Sequence, residues 1–100
     1  MSFRVRFTHE AKSDLERLYA FLAAHDLEAA ERALDAIDRA WSILEAFPFS
    51  CRKAEDANPF LREMLIPFGS AGYVALFEIE NQQTVTVLAA RHQREDDYHY

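Results

Sequence analysis

The chain has 100 residues, half of them apolar and 28% charged, with a formal net charge of −6; this predicts one domain over residues 1–100 with a single modest core, and excludes a disordered chain. The acidic balance speaks against direct, sequence-specific DNA binding by this chain alone, which calls for a basic face. With no apolar run of membrane-spanning length, no secretory apolar stretch at the N-terminus and Cys51 as the only cysteine, no membrane association and no internal disulfide are expected, and a reducing cytoplasm is the expected compartment.

The chain opens on a period of two. Phe3, Val5 and Phe7 fall on one side, Ser2, Arg4 and Arg6 on the other, which predicts a half-buried strand. Thr8 then stands at a helix N-cap, with Glu10 in the first turn, where a hydroxyl and a carboxylate meet free N–H groups and the positive end of the helix dipole. Ala11, Leu15, Leu18 and Leu22, widened by Tyr19, share one helical face, and this helix is expected to end near His25 and Asp26. A second helix is expected from Leu27 and Glu28 onward. Ala30, Leu34, Ile37, Trp41 and Leu44 form its narrow apolar stripe, Trp41 reading as core, and Ala29, Ala33, Ala36 and Ala40 allow close approach of another helix. Pro48 cannot continue the helix, and the short connection makes the pair an antiparallel αα-hairpin.

Residues 48–59 read as a loop between Pro48 and Pro59. Strands are predicted over residues 60–66, 73–79 and 84–91. They are separated by Gly69-Ser70-Ala71-Gly72 and by Asn81-Gln82-Gln83, connections short enough to pair them antiparallel. The predicted order, βααβββ, is an α+β fold: an antiparallel sheet with one face packed against the αα-hairpin. The tail from residue 92 to 100 is charged and aromatic, without an apolar period.

Charge is unevenly spread. Residues 10–45 carry nine acids and four bases, while Arg52, Lys53, Arg62, Arg91 and Arg94 supply most of the remaining positive charge. Arg62 falls in step with Phe60, Met64 and Ile66 and needs a partner or a ligand among them, unless its stem snorkels. Arg91 shares parity with Val85, Val87 and Ala89; that points it toward a groove beside the helices, to meet an acid of a partner or of the hairpin. Cleavage of RNA by its own 2′-hydroxyl would need a base, an acid and positive charge on the oxyanion. Arg62, Arg91 and Arg94 can supply charge, and His92, Tyr98, His99 and Tyr100 can move protons, although chain ends commonly fray. Cys51 has no histidine or acid near in sequence to form a catalytic pair. His92 and His99 lack further spaced ligands, so no metal and no cofactor are expected.

The order of elements and several phrases resemble the RelE/ParE toxin superfamily over nearly the whole chain. Val5-Arg6-Phe7-Thr8-His9-Glu10-Ala11 followed by Asp14-Leu15 is similar to its strand-to-helix passage, and Leu44-Glu45-Ala46-Phe47-Pro48 to its helix end. Leu61-Arg62-Glu63-Met64, Gly72-Tyr73-Val74 with Leu76-Phe77-Glu78, and Val87-Leu88-Ala89-Ala90-Arg91-His92-Gln93-Arg94 are similar to its three later strands. The continuation Arg91-His92-Gln93-Arg94-Glu95-Asp96 resembles the ParE branch more than the RelE branch. The resemblance implies a type II toxin, acting in plasmid stabilisation, held by a cognate ParD-like antitoxin. It implies inhibition of DNA gyrase by binding, with Arg91, His92, Arg94 and Tyr98 facing the target. Phe21, Ile43, Arg62, Tyr73 and Arg91 are then the expected antitoxin contacts. The RelE branch implies instead a ribosome-dependent mRNA endonuclease using Arg62, Arg91, His92, Arg94, Tyr98 and His99, with the ribosome and mRNA as partners. A non-toxic, antitoxin-binding member is the remaining alternative.

Overall fold

The computed structural model describes residues 2–98. The elements are β1 (Arg4–Phe7), α1 (His9–Ala23), α2 (Leu27–Ala46), a 3-10 turn (Pro48–Ser50), β2 (Arg52–Glu55), β3 (Asn58–Phe68), β4 (Ala71–Ile79) and β5 (Thr84–His92). The five strands form one sheet in the order β1-β5-β4-β3-β2. The α+β class, the two helices and the three long strands follow the sequence reading.

Two features depart from it. The sheet is mixed: β1 runs parallel to β5, Val5 opposite Val85 and Phe7 opposite Val87, while the neighbouring pairs β2–β3, β3–β4 and β4–β5 are antiparallel. The helical hairpin carries the chain back across the sheet before β2, so the first strand finds its partner at the end of the sequence. The second departure is β2, which lies inside the expected loop. It pairs Arg52 with Glu63 and Lys53 with Arg62. As a short, charged edge strand exposed for most of its length, it has no buried face to impose a period.

Local chemistry sets the helix boundaries. Thr8 Oγ1 accepts the Ala11 N–H at 3.1 Å and Asp26 Oδ1 accepts that of Ala29 at 3.1 Å, so both helices start at side-chain caps. Leu18, Ile37 and Leu44 of the hairpin pack with Met64, Ile66, Phe77, Val85 and Val87 into the core. Trp41 closes its margin edge-on to Phe7, with ring centroids 5.0 Å apart. On α2 the buried face runs through Ala33 rather than Leu34, because the small side chain lets the helix sit closer and leaves Leu34 turned outward. No helix among the described residues is long and apolar enough to cross a membrane.

A bulge in β5 decides where the end of that strand points. Leu76 pairs with Ala89 but Phe77 pairs with Val87, so Leu88 is an extra residue and the alternation of faces reverses there. Val85, Val87 and Ala90 join the core under the helices; Ala89 and Arg91 turn to the opposite face. Arg91 therefore does not point into a groove beside the helices, as simple alternation suggests. The backbone groups freed by the bulge find side chains on the first helical turns. Thr8 Oγ1 donates to the Leu88 carbonyl at 3.2 Å, and the Ala90 N–H donates to Asp14 Oδ2 at 2.9 Å. That explains a carboxylate only 5% exposed on the apolar side of α1. Asp14→Ala leaves the Ala90 N–H buried without a partner and is expected to cost about 1–3 kcal/mol in urea unfolding. Asp14→Asn, which keeps an acceptor oxygen, is expected to recover much of that loss.

Candidate functional site

A groove of about 560 Å³ lies between the C-terminal half of α1, the β3–β4 turn and the exit of β5. α1 contributes Arg17, Phe21 and Leu22; the turn contributes Phe68 and Ser70; the exit contributes His92, Arg94 and Glu95. Phe21 is 71% exposed on the helical wall, held against His25 with centroids 5.2 Å apart. Its apolar surface is large for a position that touches so little of its own fold.

The floor is Tyr73, whose ring stacks near-parallel on Phe68 at 6.3 Å and meets His92 edge-on at 5.6 Å. Tyr73 is only 6% exposed, and burial pushes its hydroxyl above the usual tyrosine range. It belongs to the core and lines the groove from beneath.

The rim is basic and tied together. Arg17 Nη1 reaches both oxygens of Glu95 at 3.3 and 3.4 Å, and Glu95 Oε1 accepts the His92 N–H at 2.9 Å. The Arg94 N–H donates to His92 Nδ1 at 3.1 Å, which leaves Nε2 to carry the proton of the neutral ring. Arg94 Nη2 donates to Ser70 Oγ at 3.4 Å, so its guanidinium stands across the mouth of the turn. Gly72, at φ +153°, lets the strands close here. Its carbonyl accepts the Gln93 N–H at 2.9 Å.

A second cluster occupies the other face of the sheet. Register places Glu63, Leu76 and Ala89 in one row and Leu65, Val74 and Arg91 in the next. The tail turns back over these rows. Arg91 Nη1 donates to the carbonyls of Glu95, His92 and Gln93 at 2.8, 3.3 and 3.4 Å, and its guanidinium lies 5.1 Å from the centre of the Tyr98 ring. The Tyr98 hydroxyl donates to Glu63, which also holds Arg52 at 3.1 Å. The partner of Arg91 is thus the backbone of the tail, not an acid of the hairpin.

Burial, and then the bond to Glu63, push the Tyr98 phenol well above the usual tyrosine range. A phenol raised in the folded state favours folding while it stays protonated. Its contribution is full below the unfolded value near pH 10 and is lost as pH rises above it. Wild-type stability is therefore expected to fall more steeply above about pH 10 than that of Tyr98→Phe. Denaturant unfolding of both proteins between pH 8 and 11 checks this; parallel profiles would refute it.

Phe21, Tyr73, His92 and Arg94 therefore meet at the groove, while Arg91 and Tyr98 stand on the opposite face. Ile43, 43% exposed, lies apart beside Cys51, Arg52 and Leu65. Arg62 is turned into its own loop, donating to the carbonyls of Pro59, Cys51 and Phe49 at 2.7, 2.8 and 3.3 Å. Its guanidinium is held by these carbonyls and does not extend free into solvent. His99 and Tyr100 lie outside the described residues. The sequence reading passed over Arg17, Ser70 and Glu95 in the groove and Glu63 on the open face. The three-residue spacing of His92 and Glu95 is a turn-closing signal; the meeting of Glu63 and Tyr98 leaves no local one. Burial pushes the Cys51 thiol up, with Ser50 and Arg62 acting against it. Among the described residues no three histidines, cysteines or acids gather to hold a metal ion.

Residues 5–97 match the model of the family described as ParE toxin of type II toxin–antitoxin system, parDE. The chain is 32% identical over 79 residues to Toxin RelE1 of Caulobacter vibrioides, a match spanning 79% of this chain and 82% of that protein. The fold superposes on a chain of the chromosomal ParDE TA system from P. aeruginosa with a TM-score of 0.69. That comparison covers 95% of this chain and 98% of the other at 18% identity.

Proposed function

This chain belongs to the ParE toxins of type II toxin–antitoxin systems, and we propose that it acts in the cytoplasm by binding and inhibiting DNA gyrase, until a ParD-like antitoxin fills the groove between α1 and the β3–β4 turn. The observation that carries inhibition by binding is the engagement of the reactive groups. Arg62 and Arg91 are bound to backbone carbonyls and the Tyr98 phenol to Glu63, so three of the groups that phosphodiester cleavage would draw on serve the fold. The antitoxin reading rests on the groove itself, an apolar wall at Phe21 and a rim where Arg94 supplies positive charge and His92 a hydrogen-bonding ring. These suit an amphipathic segment carrying an acid.

The decisive experiment follows plasmid supercoiling by gyrase in the presence of the purified protein. Loss of supercoiling, restored by the antitoxin, supports the reading; undiminished supercoiling at stoichiometric excess, with gyrase from the native host, removes it. Phe21→Asp is expected to weaken antitoxin binding by about 30-fold or more, the scale of an interface hot spot, as isothermal titration would measure. Full affinity in that variant would move the antitoxin elsewhere.

One arrangement favours a second reading. Arg52, Glu63, Arg91 and Tyr98 bring two guanidiniums, a carboxylate and a phenol to one sheet face, the groups an endoribonuclease uses. Cutting of mRNA in a translating extract, lost in Glu63→Gln, would replace the gyrase reading with this one.

A further inference from the structure

The end of the molecule away from the antitoxin groove carries a second apolar hollow. It measures about 680 Å³, with Phe3, Phe49, Phe60 and Ile79 as its walls and Glu80, Asn81 and Gln82 along one rim. Phe47, Phe49 and Phe60 are all largely exposed, yet the platform is held in shape. Phe49 and Phe60 meet edge to face at 6.4 Å, and Arg62 lies 5.4 Å from the centre of the Phe49 ring while bound to the carbonyls of Pro59, Cys51 and Phe49. The guanidinium left unexplained by any ligand is the group that fixes these aromatics. Rigid, exposed aromatic side chains are the residues from which interface hot spots are made.

The electrostatics of this end select the occupant. α2 terminates here, its Glu45 carbonyl accepting the Phe3 N–H at 2.7 Å. Its last turn has no basic residue and carries the exposed Glu45, so the negative end of the helix dipole is reinforced where a cation is the usual complement. Glu80 adds a second exposed carboxylate on the hollow's rim. Of the nearby cations Arg62 is engaged by carbonyls, Lys53 lies beside it on β2, and Arg4, which follows Phe3 and opens β1, alternates to the other face of the sheet in register with Thr84. An apolar hollow with acids at its margin fits a protein surface that offers an aliphatic or aromatic side chain next to lysine or arginine. Enzymes that grip DNA carry such positive surfaces.

We propose that this aromatic end, centred on Phe49 and Phe60 and positioned by Arg62, is the surface that docks on a basic, apolar patch of the target enzyme. The inference rests on the gyrase reading above. It separates the two partners in space: antitoxin at the α1 groove, target at the opposite end.

The test uses the full chain and purified gyrase, with binding followed by interferometry and inhibition by supercoiling. Phe49→Ala/Phe60→Ala is expected to lose about 30-fold or more in gyrase affinity and to keep its antitoxin affinity within about twofold, well inside the tenfold that 1.4 kcal/mol represents. Glu45→Lys/Glu80→Lys, which removes no apolar surface, is expected to weaken gyrase binding about tenfold and to flatten its salt dependence. Unchanged inhibition by both variants would overturn the docking surface while leaving the gyrase reading intact. Loss of antitoxin affinity instead would assign the hollow to the antitoxin. A dimer of the wild-type chain that dissociates in the phenylalanine variant would assign it to a second copy, and either result overturns the proposal. If the wild-type protein neither binds nor inhibits gyrase, the functional reading fails first and this one with it.

Discussion

Phe77→Ala is expected to destabilise the protein by about 3–5 kcal/mol, a large part of what a domain of this size possesses. Phe77 is 0% exposed. It sits on β4, the middle strand of the sheet, in register with Arg62 on one side and Val87 on the other. Its ring faces the hairpin together with Leu44 and Ile37, and no neighbouring backbone can collapse into the space, because two strands and two helices frame it. Phe21→Ala removes the same side-chain atoms from a position that is open to solvent, and is expected to shift stability by less than about 0.5 kcal/mol. Urea unfolding of the two variants side by side checks both. Near-equal losses would mean that Phe21 packs in solution in a way the fold does not show.

Gly72→Ala is the second substitution with a large expected effect. The chain has two glycines, and this one is required by space as well as by conformation. A Cβ at this position would lie 2.2 Å from the Ile66 carbonyl oxygen and 3.0 Å from the Phe68 nitrogen. The obstruction is backbone and cannot rotate away. The φ of +153° adds strain for a residue with a side chain, of order 1–3 kcal/mol. Relief requires the β3–β4 pair to spread, which would disturb the stack of Phe68 on Tyr73 and loosen the floor of the groove. A loss of about 3 kcal/mol and a fall in Tm of roughly 10–20 °C are expected, with weaker antitoxin binding in the same variant. By contrast, nothing lies within 4 Å of a Cβ at Gly69, so Gly69→Ala meets only the cost of its positive φ. Thermal melts that rank the two variants equally would count against the steric argument.

The sequence carried its periods faithfully and its long-range geometry poorly. Phe3, Val5 and Phe7, the stripe from Ala30 to Leu44 and the aromatic run of β4 each reveal an element because one face is buried and the other is not. β2 shows no such contrast, so Arg52 and Lys53 passed for loop. The reversal at Leu88 has a different cause. Its signals are an acid on the apolar side of α1 and a threonine cap, and both read locally as helix features until Ala90 and Leu88 are seen to use them. That single inserted residue moved Arg91 to the other face, and with it the expected partner. Phe21, His92 and Arg94 were legible as exposed or charged residues without a local role. Their convergence with Arg17 and Ser70 depends on a helix, a turn and a strand end far apart in sequence.

The parallel pairing of β1 with β5 ties the folding of this protein to the synthesis of β5. Val5 waits for Val85, and Thr8 for the carbonyl of Leu88. The helical hairpin, whose contacts are local, can form early, but the sheet edge cannot close until the last strand has left the ribosome. A chain cut short before β5 would have neither the bulge nor the strand that carries the exit residues of the groove. It would leave the apolar stripe of α1 without its main cover and would be removed as an unfolded product. A nonsense change anywhere upstream of Thr84 is therefore expected to leave no folded fragment, because β1 and the helical hairpin would lack the strand they close on.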